Sequence, residues 1–146
     1  STGDGCADFR QRQSSPVSGL GRWVLPTFRP GGVLDALDPD CVTNRRGLSQ
    51  FTGCDLGSYN GYLEALRSRR KYFVAMGATA TDHAIEVTHT ECLGDPEVIY
   101  QRLRGGTGSL DDARRFYGHM LIEMAQMSVE DGLTMQIHGG IGMTEE

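Results

Sequence analysis

The chain is short of lysine. Of its 14 basic residues only Lys71 is not arginine, and 19 acids outweigh them to leave a net charge of −5. Phosphate binding needs a basic face, so this balance argues against nucleic acid as the main partner. The one basic run, Arg67 to Lys71 (RSRRK), falls inside a helical pattern and reads as a solvated helix face. No apolar run approaches bilayer-spanning length, so no membrane association is expected. The opening STGDGCADFRQRQ has no basic region leading into an apolar stretch, so no signal peptide is expected either. No two of the four cysteines, Cys6, Cys41, Cys54 and Cys92, are spaced C-x-x-C. That spacing gives no support to a zinc site or redox dithiol, and scattered thiols fit a reducing cytoplasm. Internal repeats and low-complexity segments are also missing. Glycine is abundant instead, 20 in 146, about twice the usual share.

The pattern that is present alternates helices and strands. Ser109 is a good N-cap, with Asp111 and Asp112 in the following turn. Leu110, Ala113, Tyr117, Met120, Leu121 and Met124 recur at helical spacing, and Gly132 is a natural stop. A short alternating run, LTMQIH (133–138), follows at once and reads as a strand. An earlier helix from Ser58 to Met76, closed by Gly77, leads in the same way into ATATDH. Between them Asp95 and Pro96 start a shorter helix, with Val98, Ile99 and Leu103 as its buried side. RWVLPTFRP (22–30) reads as a further strand, and one helical turn is expected around Val42 to Leu48.

Helix-to-strand alternation implies parallel pairing, with functional groups at the carboxyl ends of the strands. Three strands are expected near residues 22–28, 78–82 and 133–138, and they end at Arg29, Asp82 and His138. Arg29 suits bidentate capture of a carboxylate. Asp82 suits hydroxyl hydrogen bonds or proton transfer, with a turn cap as the bland alternative. His138 could shuttle a proton or bind a divalent metal, or sit satisfied by backbone. His83 should point away from Asp82 by strand alternation. His89 and His119 read as solvated or packed. GGIG (139–142) lacks the spacing of a dinucleotide fingerprint or P-loop.

Four segments in order, STGDGCADF, VLPTFRP, ATATDHA and MQIH, resemble the uronate (glucuronate) isomerase family of the amidohydrolase superfamily. The likeness runs from Ser1 to about Gly139. It implies an α/β fold, a partial (β/α)8 TIM-type barrel of about three to four parallel strands with outer helices. One domain would occupy 1–146, with 140–146 as an atypical tail. It implies aldose–ketose isomerisation of a hexuronate, with Arg29 and Asp82 binding substrate and Asp82 and His138 catalytic. His138 would also be the metal residue for a divalent Zn or Mn, with no other cofactor. The partner is the small-molecule hexuronate, with self-association through open sheet edges. The sequence departs from the family where Gly3, Asp4, Gly5 and Cys6 stand in the first loop and where no arginine follows His138. The His-x-His of the first strand and the late-barrel aspartate are also absent, and a full barrel needs roughly 250 residues. The tail QIHGGIGMTEE is similar instead to the FAD-binding C-terminal segment of acyl-CoA dehydrogenases, so an FAD-dependent fragment is the alternative, alongside a non-catalytic partial barrel.

Overall fold

The computed structural model describes residues 26–85 and 89–139. Seven elements follow in order: α1 (Gly31–Leu34), α2 (Cys41–Thr52), α3 (Tyr59–Ala75), β1 (Ala80–Ile85), α4 (Pro96–Arg104), α5 (Leu110–Asp131) and β2 (Thr134–Gly139). The strands are parallel, with Asp82 in register with Gln136 and Ala84 with His138. A third pairing flanks β1. The Phe28 N–H donates to Ala80 O at 3.3 Å, and the Asp82 N–H donates to Phe28 O at 2.9 Å. On the other side the Thr134 N–H donates to Thr79 O at 2.9 Å. Successive residues of a strand turn their backbone groups to opposite edges, so β1 lies between Phe28 and β2. Of the strand expected over 22–28, residues 26–28 are described, and of these only Phe28 makes a bridge. Residues 22–25 and the tail 140–146 lie outside the described residues, as do the first-loop residues Gly3 to Cys6.

Local chemistry sets the helix ends. Ser109 and Asp112 form a reciprocal capping box, and Gly132 closes α5 in the left-handed region at φ 80°. Ser58 caps α3 by accepting from the Gly61 N–H at 3.1 Å. The helices bury one face of the sheet. Thr81 and His83 are fully covered, while Ala80, Asp82 and Ala84 occupy the other face. Phe28 packs against Phe73, and Tyr62, Tyr100 and Phe116 stack in the centre of the core.

Three expectations need correcting. The basic run on α3 is not a solvated face. Arg70 is 1 % exposed and donates to Asp131 through Nε at 2.6 Å and Nη2 at 2.9 Å. Arg69 is also buried, its guanidinium 4.5 Å from the Phe51 ring centre. Val98 is exposed; the covered stripe of α4 is Ile99 and Tyr100. The single turn expected near Val42 is a helix of 12 residues.

Candidate functional site

Arg29, Asp82 and His138 meet on the face of the sheet turned away from the helices, although β1 does not end at Asp82 as expected but runs on to Ile85, which leaves Asp82 as its third residue. The Asp82 carboxylate takes both neighbours. Its Oδ1 is 2.9 Å from His138 Nδ1, and its Oδ2 is 3.4 Å from Arg29 Nε. A carboxylate only accepts, so the hydrogen of that His138 bond lies on Nδ1. The lone pair of the neutral ring is then on Nε2. Asp82 itself is fixed from both sides, by its backbone bond to Phe28 and its register with Gln136. Its side chain is 19 % exposed, against 47 % for Arg29 and 58 % for His138. The arrangement is an open triad. It offers a guanidinium for an anion, a carboxylate for hydroxyl groups and an oriented imidazole for a proton.

The other histidines stand elsewhere. His83 is buried on the opposite face, with Nε2 2.9 Å from Thr81 Oγ1. Burial first, and the nearby Arg70 charge second, push its pKa down to about 4. His89 pairs with Glu91, which Arg115 also grips at 2.8 Å, and these bonds hold the Glu91 carboxyl down to about 2. His119 is packed rather than solvated. Its Nδ1 accepts the Leu93 N–H at 3.1 Å, so Nε2 carries the hydrogen and donates to Tyr59 Oη at 2.7 Å. Tyr59 in turn donates to Glu123 at 3.0 Å. Sequence reading missed this relay, although the i,i+4 spacing of His119 and Glu123 on one helix was available as a signal.

A metal finds no complete site here. Among the described residues no group of three His, Cys, Asp or Glu side chains is placed to hold one. His138 has Nε2 left over, while Asp82 is already shared between two cationic or donor groups. GGIG beyond Gly139 and the rest of the tail lie outside the described residues. Residues 134–139 are a strand, where the dehydrogenase alternative calls for helix. Among the described residues no helix is long and apolar enough to cross a membrane.

Known proteins resemble this chain over most of its length. A family model described as glucuronate isomerase matches residues 14–144. A uronate isomerase of Rhizorhabdus wittichii is 46% identical over 126 residues, covering 85% of this chain and 27% of that protein. One from Rhizobium meliloti is 43% identical over 119 residues, 80% of this chain and 25% of that protein. Among solved structures, glucuronate isomerase from Caulobacter crescentus superposes with a TM-score of 0.79 at 36% identity, covering 88% of this chain and 29% of that one. Uronate isomerase from Thermotoga maritima gives 0.81 at 19% identity, covering 93% and 31%. The chain thus spans between a quarter and a third of the length of these relatives.

Proposed function

The chain belongs to the glucuronate isomerase family, and from that premise we propose that it carries part of the active site of an aldose–ketose isomerase. The substrate is a hexuronate of the glucuronate-to-fructuronate type. The architecture in this reading is a partial (β/α)8 barrel in which the Phe28 segment, β1 and β2 are neighbouring staves. A cytoplasmic setting fits the free thiols Cys41, Cys54 and Cys92.

The observation that carries the reading is the meeting of Arg29, Asp82 and His138 on one face of the sheet. Arg29 binds the sugar carboxylate, and Asp82 accepts hydrogen bonds from substrate hydroxyls. Asp82 also holds His138 with Nε2 directed away from the pair, free to take the C2 proton of the aldose. Loss of that proton gives an enediol as O1 is protonated. Return of a proton to C1, with loss of the O2 proton, gives the ketose. The electrophile for the two oxygens is not among these three groups, and placement errors of about 1 Å already cost such reactions heavily. The isolated chain is therefore expected to bind weakly and not to turn over.

Titration of labelled protein with glucuronate, followed by two-dimensional NMR, tests the site. Shifts at Arg29, Asp82 and His138 that vanish in Arg29→Ala are expected. Equal shifts with uncharged glucose would overturn the carboxylate role. A coupled assay is expected to be silent. Turnover by the wild-type chain that disappears in His138→Ala would refute the incompleteness of the site.

A further inference from the structure

We propose that the groove between α2 and α4 is a binding site for a small phosphate monoester. Its walls come from those two helices and from the loop that leads into α3. No strand contributes to them, and neither does the face that carries Arg29, Asp82 and His138. The proposal therefore stands independently of the isomerase reading.

The pairing of the arginines supplies the first observation. Of those among the described residues, Arg29, Arg67, Arg70, Arg102, Arg114 and Arg115 each meet a carboxylate. Arg69 lies against the rings of Phe51, Tyr72 and Phe73. The remaining three, Arg45, Arg46 and Arg104, have no carboxylate partner, and all three line this one groove. The chain has 19 acids to 14 basic residues, so acids are not scarce. Guanidinium groups gathered without counter-charge repel one another, and an anion between them removes that cost.

The groove is also braced. The Tyr100 hydroxyl donates to the Leu56 carbonyl oxygen at 2.5 Å, and Gln101 Nε2 donates to that of Gly57 at 2.6 Å. These bonds tie the loop at 55–57 to α4. Gln101 Oε1 accepts from Arg104 Nε at 3.2 Å. The Arg45 and Arg104 charges both act on the Tyr100 hydroxyl, which gathers guanidinium groups from two helices around one point. Pre-placed donors of this kind lose little freedom on binding.

Charge and size select the ligand. Asp55 is the one acid on the walls, and its Oδ1 already accepts the Gly57 N–H at 2.9 Å. Three guanidinium groups less one carboxylate leave two positive charges. A phosphate monoester brings about 1.5 to 2 negative charges near neutral pH. A sugar carboxylate brings only one. Guanidinium forks also match phosphate oxygens in pairs. The groove, about 360 Å³, lies at the small end of the range for ligand pockets and has room for an organic part beside the phosphate. Val42 and Leu56 offer that part apolar contact. Three cations in an otherwise acidic chain suit one phosphate rather than a nucleic-acid backbone.

Titration of labelled protein with glucose 6-phosphate to about 10 mM, followed by two-dimensional NMR, tests the site. Saturating shifts at Arg45, Arg46, Leu56, Gly57 and Arg104 are expected. Arg45→Gln and Arg104→Gln are each expected to weaken binding about tenfold or more. Arg104 is exposed, so its variant should keep the fold even if the half-buried Arg45 proves structural. Arg114→Gln removes the same charge elsewhere and should leave the affinity unchanged. Glucuronate and inorganic phosphate should each bind there about tenfold more weakly, the first for want of charge and the second for want of an organic part. Absence of saturation at these residues, or an equal loss from Arg114→Gln, would overturn the proposal. Inorganic phosphate binding as tightly as the ester would overturn the ester as ligand, and glucuronate binding as tightly would overturn the charge match.

Discussion

Acidification should loosen this protein before the carboxyls of Glu91, Asp112 and Asp131 respond, and His83 is the reason. Its ring lies fully under the helices, and burial together with Arg70 lowers its pKa from 6.5 to about 4. In the unfolded chain the same ring protonates near its ordinary value. Between those two values the unfolded state binds the extra proton, so stability falls as pH falls. The contribution is complete above about pH 6.5 and is lost by about pH 4, at about 1.4 kcal/mol for each pH unit. Going from about pH 7.5 to about pH 5 therefore costs about 2 kcal/mol from this ring. His119, also lowered by burial, acts in the same direction. The carboxyls of Glu91, Asp112 and Asp131 have lowered values and lose their contribution only at more acid pH. The assay is urea unfolding of wild type and His83→Gln at both pH values. Gln keeps a polar group facing Thr81 but does not titrate. The wild type should lose about 2 kcal/mol more than the variant on acidification. Equal losses would refute the assignment of the titration to His83.

Other perturbations separate the forces. Asp131→Ala leaves the Arg70 guanidinium buried without its carboxylate and should cost about 3–5 kcal/mol in urea unfolding; a loss under 1 kcal/mol would mean that Arg70 finds water. Ser109→Ala removes half of a capping box and should cost about 1 kcal/mol, read as a lower Tm. Gly118→Ala would ordinarily favour a helix, yet an added Cβ lies 2.7 Å from the His89 carbonyl oxygen. The change should therefore destabilise by about 1–3 kcal/mol and speed amide exchange at Leu93.

What was legible in the sequence follows the range of the interactions. Helix ends at Ser58, Ser109 and Gly132 are set within four residues, and local pattern finds them. The meeting of Arg29, Asp82 and His138 followed from strand alternation and parallel order, which need no knowledge of distant contacts. The roles of those three residues remain a proposal. Arg70 was misjudged because its partner lies far off in the chain, and Arg69 because its cover comes from rings, Phe51, Tyr72 and Phe73, rather than from an acid. Asp131 is 61 residues from Arg70, and the like charges nearby suggest only solvent. The full length of α2 was hidden by Asn44 and Gly47, weak helix formers that are buried; the Asn44 side chain donates to the Gly32 carbonyl oxygen at 2.9 Å. Val98 failed on phase, since one position along α4 decides which side faces the core.

Only Gly132 and Leu133 separate the end of α5 from β2, and the Asp131 carboxylate also accepts the Leu133 N–H at 3.1 Å. That junction has no slack. Adding or deleting one residue there would either slip the whole strand by a position or exchange its two faces, turning His138 under the helices and Ile137 toward Asp82. Length changes should therefore be tolerated unevenly along the chain. The turn at 35–40 is expected to accept an added residue, whereas position 132–133 is expected to admit no change in residue number. A library of single-residue insertions, sorted for folded protein, would draw that boundary directly.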